Sequence, residues 1–106
     1  MSAAFAEVLA RLQAVIIARR GADPSSSYTA QLLADPARAA KKLGEEAIET
    51  VLAAAKGDAD WLAAESADLV YHWLVVLAAA GVSLEDVAAK LEGREGRSGI
   101  EEKASR

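Results

Sequence analysis

The chain has 106 residues and a formal net charge of −4, with 12 Lys and Arg against 16 Asp and Glu. This length suits a single domain, and the acidic balance excludes a general nucleic-acid binder, which would carry a basic face. The absence of Cys excludes a disulfide scaffold, a Cys-based zinc site and a thiol nucleophile, and it is compatible with the cytoplasm. The 26 alanines and only two prolines favour a helical protein.

The N-terminal part predicts two helices separated by a loop. Apolar side chains recur at steps of three and four residues over 3–20, which predicts an amphipathic helix that ends at Gly21. The Asp-Pro-Ser-Ser-Ser run within 22–27 is typical of a loop. Ser27 then caps a short predicted helix over about 28–34.

Three further helices are predicted, over 35–57, 58–80 and 83–92. The first begins with an Asp-Pro pair, in which Asp is the N-cap and Pro takes the first helical position. Either Asp58 or Asp60 caps the second, and a Ser-Leu-Glu-Asp capping box opens the third. The side chains predicted to point inward are Leu43, Ala47, Ile48, Val51 and Leu52 on the first of these helices and Val87 and Leu91 on the last.

The periodicity ends at Gly93, and no strand-like alternation or internal repeat occurs. The predicted fold is therefore all-α, with four to five helices over 1–92. A Gly/Arg/Ser-rich tail follows over 93–106, which belongs to the same domain and is expected to be flexible on its own.

The segment 69–77 is apolar nearly all round its helix, and such a helix must be covered on every side. A chain this small has few helices for that purpose, so we expect a homodimer; the alternative is that the short helices of one chain wrap it. The uncharged stretch 69–82 is too short for a membrane span, which needs about 20 residues. We expect no membrane partner and no nucleic acid.

Carboxylates on the two long helices are the sharpest signal of function. Glu46 and Glu49 share one helix face, as do Glu45 and Glu49, and Glu65 and Asp68 repeat the three-residue spacing on the next helix. Since a short turn makes these helices antiparallel neighbours, the two pairs lie level. Facing carboxylates repel each other unless a cation lies between them, and oxygen ligands suit Mg²⁺ or Mn²⁺.

An ordinary solvated helix face is the alternative to a metal site. Residues 45–68 contain seven acids and one Lys, and the flanking sequences are strongly apolar. The acids therefore interrupt inward-facing rows instead of covering an outer face, and we predict a metal site.

Basic and polar residues flank this acidic region. Lys42 either pairs with Glu46 within the helix or holds a phosphate beside the metal. His72 lies on nearly the same face as Asp68, where it bonds a carboxylate or a substrate group; a core histidine with satisfied hydrogen bonds is the slightly favoured alternative. Tail residues suited to phosphate through guanidinium and backbone N–H groups are Arg94, Arg97 and Ser98.

Four segments resemble the phosphoribosyl-ATP pyrophosphatases of histidine biosynthesis, within the MazG-type all-α nucleoside triphosphate pyrophosphatases. They are SYTAQLL (27–33), KKLGEEAIE (41–49), ESADLVYH (65–72) and REGRSG (94–99) followed by EKASR (102–106). The Glu-x-x-Glu and Glu-x-x-Asp pairs match the superfamily, whereas the Ser-Tyr-Thr-Ala opening and the Arg-rich tail are similar to this member.

The resemblance implies a MazG-like helical bundle that hydrolyses phosphoribosyl-ATP to phosphoribosyl-AMP and pyrophosphate with Mg²⁺. The metal ligands that it implies are Glu46, Glu49, Glu65 and Asp68. Glu45 is implied as a further ligand or as the base, so that the expected catalytic set is Glu45, Glu46 and Glu49. The expected phosphate- and substrate-binding residues are Lys42, His72, Arg94, Arg97, Ser98 and Lys103.

Two other functions are compatible with the sequence. A house-cleaning nucleotide pyrophosphatase would share the acidic pairs but needs no basic arm for a second ribose phosphate. A helical interaction module would use the same acids only for solubility, and would show no response to Mg²⁺.

Overall fold

The computed structural model describes residues 3–96 and 99–104. Its helices are α1 (Ala3–Ala18), α2 (Tyr28–Leu33), α3 (Pro36–Lys56), α4 (Ala59–Ala80), α5 (Leu84–Glu92) and α6 (Gly99–Ala104). No strand occurs within these ranges. The prediction of an all-α chain with up to five helices before the tail is confirmed, and α6 is an additional short helix that the sequence did not predict.

Local capping sets the bounds of the long helices. The Asp35 side chain accepts the backbone N–H of Arg38 at 3.2 Å, and the Asp58 side chain accepts that of Trp61 at 3.0 Å. Asp58, rather than Asp60, is therefore the N-cap of α4. Each of the two helices ends at a glycine in the left-handed region, with φ of 70° after α3 and 73° after α4.

The helices α3 and α4 form an antiparallel pair, because only the two-residue connection 57–58 separates them. The helices α1 and α2 pack against α4, and α2 also touches α3. The buried cluster at this junction comprises Ile16, Leu32, Ala39, Leu74, Val75 and Ala78. The core thus lies around the C-terminal half of α4, whereas the N-terminal half of α4 packs against α3.

The face of α3 that packs inward differs from the predicted one. Ala39 and Ala53 are the buried residues of α3, whereas Ile48, Val51 and Leu52 are 64%, 65% and 53% exposed. The prediction that these three side chains point inward is wrong for the single chain, because small alanines let α3 approach α4 closely. Larger apolar side chains are left on its outer face.

The burial of side chains on α5 also differs from the prediction. Leu91, predicted to be buried, is 59% exposed, and α5 has no buried residue. Its capping box is formed as predicted, since Ser83 and Asp86 each accept the other's backbone N–H, at 3.0 and 2.9 Å.

By length and composition alone, α4 is the one helix in the described part of the chain that could cross a membrane. The core helix of a helical domain meets the same two criteria. The helix α4 carries Asp60, Glu65 and Asp68, and α1, α2 and α3 pack against it.

Candidate metal centre

One stripe of α3 faces α4 and carries a carboxylate at its middle. Ala39, Glu46 and Ala53 follow each other at intervals of seven residues, which places them on the same side of a helix. Ala39 and Ala53 are fully buried, and Glu46 between them is half-buried. The Glu46 carboxyl group therefore points toward the interface with α4.

A matching stripe of α4 continues from the core into the acidic region. Glu65, Asp68, His72 and Val75 are spaced by three, four and three residues, so they share one face of α4. His72 and Val75 are buried, Glu65 is half-buried and Asp68 is exposed. The acids thus extend an inward-facing row to the rim of the molecule, where a ligand in solution can reach them.

Three carboxyl groups converge where the two stripes meet. One oxygen each from Glu46, Glu49 and Glu65 lies within 4.8 Å of the others. Glu46 Oε2 and Glu65 Oε2 are buried and have no hydrogen-bond partner in the described part of the chain. Buried polar atoms are nearly always paired, so two unpaired carboxylate oxygens in such a group fit a hard divalent cation.

The close approach of these carboxyl groups raises the pKa of Glu65. The close approach of the Glu49 carboxyl is the largest cause that raises the pKa of Glu65, and burial, the charge of Glu49 and the charge of Asp68 raise it further. The indole N–H of Trp61 acts in the opposite direction. A cation at this point would remove the repulsion that favours the protonated form.

Two side chains outside the predicted set hold the acidic turns in place. The Thr50 hydroxyl donates to the Glu46 carbonyl at 2.8 Å and lies 3.3 Å from the Glu65 carbonyl, so it bridges α3 and α4. The Trp61 indole Nε1 donates to Glu65 Oε1 at 3.3 Å. Both residues are four positions from a predicted ligand, Thr50 after Glu46 and Trp61 before Glu65. That spacing is the signal by which the sequence could have indicated them.

The other predicted acids lie beside the group of three. Asp68 lies one turn after Glu65 and close enough to raise its pKa, but it is not one of the three converging residues. Glu45 is exposed and forms an ion pair with Lys42 at 3.5 Å. Lys42 therefore pairs with Glu45 and not with Glu46, and the roles of Glu45 and Asp68 in metal binding or catalysis stay predictions.

His72 is enclosed by aromatic rings at the inner end of the α4 stripe. Its Nδ1 lies 2.8 Å from the Asp68 carbonyl, which only accepts hydrogen bonds, so Nδ1 carries the proton. Its Nε2 lies 3.5 Å from the Tyr28 hydroxyl, and the Tyr71 ring packs edge-on at 4.9 Å. These contacts favour the core interpretation, and contact with substrate stays a prediction.

Of the predicted phosphate-binding residues of the tail, the structure describes Arg94 and Lys103. Arg94 is exposed in the turn after α5, and Lys103 is exposed in the last turn of α6. Arg97 and Ser98 lie outside the described residues. The role of all four in binding phosphate stays a prediction.

With this geometry in place, comparison with known proteins identifies the family. A sequence model of the family described as phosphoribosyl-ATP pyrophosphohydrolase matches residues 9–95. The chain belongs to this family. The match includes all the predicted acids together with Lys42, His72 and Arg94, and it ends before the remaining tail residues.

Individual members of the phosphoribosyl-ATP pyrophosphohydrolase family are similar along the whole chain. The phosphoribosyl-ATP pyrophosphatase of Caulobacter vibrioides (strain NA1000 / CB15N) is 68% identical over all of this chain and 99% of its own length. The protein of the same name from Dinoroseobacter shibae is 60% identical over 93% of this chain and 98% of its own. That from Parvibaculum lavamentivorans is 60% identical over 98% and 96%, respectively. The chain therefore has the size of these relatives, including the tail.

Proposed function

We propose that this protein hydrolyses phosphoribosyl-ATP to phosphoribosyl-AMP and pyrophosphate, in the cytoplasm, as the second step of histidine biosynthesis. The single observation that carries the proposal is the convergence of Glu46, Glu49 and Glu65 at the interface of α3 and α4. Membership of the family supports the substrate, and the geometry supports a cation that this chemistry requires.

We further propose Mg²⁺ as the cofactor, held by Glu46, Glu49, Glu65 and Asp68. Hard oxygen donors favour Mg²⁺ or its substitute Mn²⁺ over softer metals. The two buried, unpartnered carboxylate oxygens support this ligand set, because a cation would give both of them the partner that the described side chains do not. Asp68 completes the set as the exposed member, open to the substrate.

Hydrolysis adds water across the anhydride bridge between the α- and β-phosphorus atoms, and this bridge breaks to give phosphoribosyl-AMP and pyrophosphate. A Mg²⁺ ion held by these carboxylates would neutralise charge on the triphosphate and would make a bound water more acidic. Glu45 is not one of the three converging carboxylates, and we propose that it accepts the proton of the attacking water once Lys42, its ion-pair partner, turns to the substrate. Lys42, whose ammonium lies 3.5 Å from Glu45 in this structure, is proposed to bind a phosphate oxygen of the substrate.

The tail provides the proposed discrimination between phosphoribosyl-ATP and ordinary triphosphates. Arg94, Arg97 and Lys103, with Ser98 among them, offer positive charge and hydrogen bonds for the phosphate on the additional ribose. His72 is proposed to contact the substrate only through its Nε2, since Nδ1 is already committed to the Asp68 carbonyl.

We also propose that the functional unit is a homodimer. The outer face of α3 exposes Ile48, Val51 and Leu52 next to each other, and neighbouring exposed apolar side chains are typical of protein–protein contact surfaces. An apolar cavity of about 250 Å³ between Leu43 and Trp73 lies between α3 and α4 as well. A second copy that packs on α3 would cover the side chains that this chain leaves in solvent.

The direct test measures pyrophosphate release from phosphoribosyl-ATP, ATP and dATP, with Mg²⁺ and with EDTA. We expect release from phosphoribosyl-ATP to exceed that from ATP by about 100-fold or more, because a site built to bind an additional group rejects substrates that lack it. Deletion of the tail, 93–106, is expected to remove this preference while residual ATP hydrolysis persists. Equal rates on all three substrates would favour a house-cleaning pyrophosphatase, and no Mg²⁺-dependent release would contradict the proposed function.

A further inference from the structure

Both N–H groups of Trp61, on the backbone and on the indole ring, donate hydrogen bonds next to the group of Glu46, Glu49 and Glu65. Its backbone N–H donates to the N-cap side chain of Asp58 at 3.0 Å, and its indole Nε1 donates to Glu65 Oε1 at 3.3 Å. The first contact anchors the residue in the opening turn of α4. The second contact spans one turn to Glu65, since residues four apart lie above one another on a helix.

The two oxygens of Glu65 have different surroundings as a result. Oε1 accepts the indole hydrogen bond, whereas Oε2 is buried and has no hydrogen-bond partner in the described part of the chain. A carboxylate fastened by one oxygen cannot rotate freely. Its other oxygen, Oε2, therefore points in a fixed direction. Glu65 is the residue of α4 whose carboxylate lies close to those of Glu46 and Glu49 on α3.

We propose that Trp61 is a positioning residue for divalent-cation binding, which holds the Glu65 carboxylate in the orientation that the cation requires. This inference rests on the proposed function, because it assumes that the group of Glu46, Glu49 and Glu65 binds Mg²⁺. The indole nitrogen donates and never accepts, so Trp61 acts on the cation only through Glu65. Hydrogen bonds to metal ligands typically change metal affinity by about 10- to 100-fold.

A purely structural role accounts less well for Trp61. The side chain is 36% exposed, and it is not among the residues that form or pack against the buried cluster. Trp73, the other tryptophan of α4, does pack against that cluster. The two tryptophans of one helix thus provide a test and its matched control.

The test compares Trp61→Phe with Trp73→Phe in a Mg²⁺ titration followed by melting temperature. Phenylalanine keeps an apolar ring at each position and removes only the indole N–H and part of the ring. We expect Trp61→Phe to raise the Mg²⁺ concentration at half-maximal stabilisation by about tenfold. Trp73→Phe is expected to lower the melting temperature without metal while leaving that concentration within about twofold of the wild-type value.

A spectroscopic measurement separates positioning from a general loss of stability. In Trp73→Phe, Trp61 is the sole tryptophan, and its fluorescence emission is expected to change as Mg²⁺ occupies the carboxylate that its N–H contacts. In Trp61→Phe, where only Trp73 remains, emission is expected to stay constant over the same titration. A Trp61→Phe protein with the wild-type Mg²⁺ midpoint, or constant Trp61 emission while Mg²⁺ stabilises the protein, would overturn the inference. A wild-type protein that neither responds to Mg²⁺ nor releases pyrophosphate would instead contradict the proposed function itself.

Discussion

Glu65→Gln is expected to make the metal-free protein more stable at neutral pH and at the same time to lower phosphoribosyl-ATP hydrolysis by about 100-fold or more. The loss of activity follows because Glu65 is a proposed metal ligand, and even residues that only support a ligand contribute about 10- to 100-fold. The gain in stability follows because glutamine carries no charge into the repulsive group of Glu46, Glu49 and Glu65.

The pKa of Glu65 determines the direction in which the stability of the wild-type protein changes with pH. The close approach of the Glu49 carboxyl, burial and the charges of Glu49 and Asp68 raise the pKa of Glu65 in the folded protein. The folded state therefore holds the Glu65 proton to a higher pH than the unfolded state does. The stability that this adds is complete below the unfolded pKa, about 4.3, and is lost as pH rises through the folded pKa.

Melting temperatures from pH 4 to pH 8 in EDTA check this behaviour. The wild-type protein is expected to lose stability relative to Glu65→Gln as pH rises across that window, and 10 mM Mg²⁺ is expected to restore the wild-type protein only. Glu7→Gln on α1 is the control, since it removes a carboxylate distant in sequence from the group. A Glu65→Gln protein that is less stable than the wild type in EDTA at pH 7 would show that the group is not repulsive.

Ile48→Asp is expected to convert the protein from a dimer to a monomer in solution. Ile48 is 64% exposed in the single chain, so an aspartate there costs little in a monomer. At a proposed interface the same carboxylate would be buried without a partner, which is strongly unfavourable. The measured mass should therefore fall from twice the chain mass of 11.0 kDa to that value itself.

Light scattering coupled to size-exclusion chromatography gives these masses directly, and Ile48→Val is the matched control because it keeps an apolar side chain. The dimer is expected to persist in Ile48→Val. A wild-type protein that elutes as a monomer, or an Ile48→Asp protein that stays dimeric, would show that the outer face of α3 is not the interface.

Most of the secondary structure was predictable because its signals are local. Ser27, Asp35 and Ser83 each cap a helix by accepting a backbone N–H within three residues, and a glycine ends each long helix. Such interactions depend on a few consecutive residues, so the sequence alone indicates them. The alternation of caps and glycines therefore predicted five helices close to their observed bounds.

The packing face of α3 was not predictable in the same way. The period of the apolar residues indicates a stripe, and it does not distinguish contact with the same chain from contact with another. Ile48, Val51 and Leu52 form such a stripe and are exposed, while the less conspicuous Ala39 and Ala53 pack on α4. A small residue contributes little to a hydrophobic pattern, although it allows the closest approach of two helices.

The candidate site was predictable to the extent that helix spacing determines it. Spacings of three residues indicated that Glu46 and Glu49 share a face of α3 and that Glu65 and Asp68 share a face of α4. Which of these four oxygen donors converge depends on how the helices pack, and the structure brings together Glu46, Glu49 and Glu65. The hydroxyl of Thr50, which bridges the helices, depends on the same tertiary contact.

Titration of the metal-free protein with Mg²⁺, followed by melting temperature and compared with Glu49→Gln, is the most direct test of the central claim that these carboxylates bind a divalent cation. At a concentration 100 times the dissociation constant, binding stabilises the wild-type protein by about 2.7 kcal/mol, which corresponds to a rise of at least about 10 °C for a domain of this size. We expect that saturable rise in the wild type and none in Glu49→Gln. An identical response in both proteins, or no response in either, would contradict the claim.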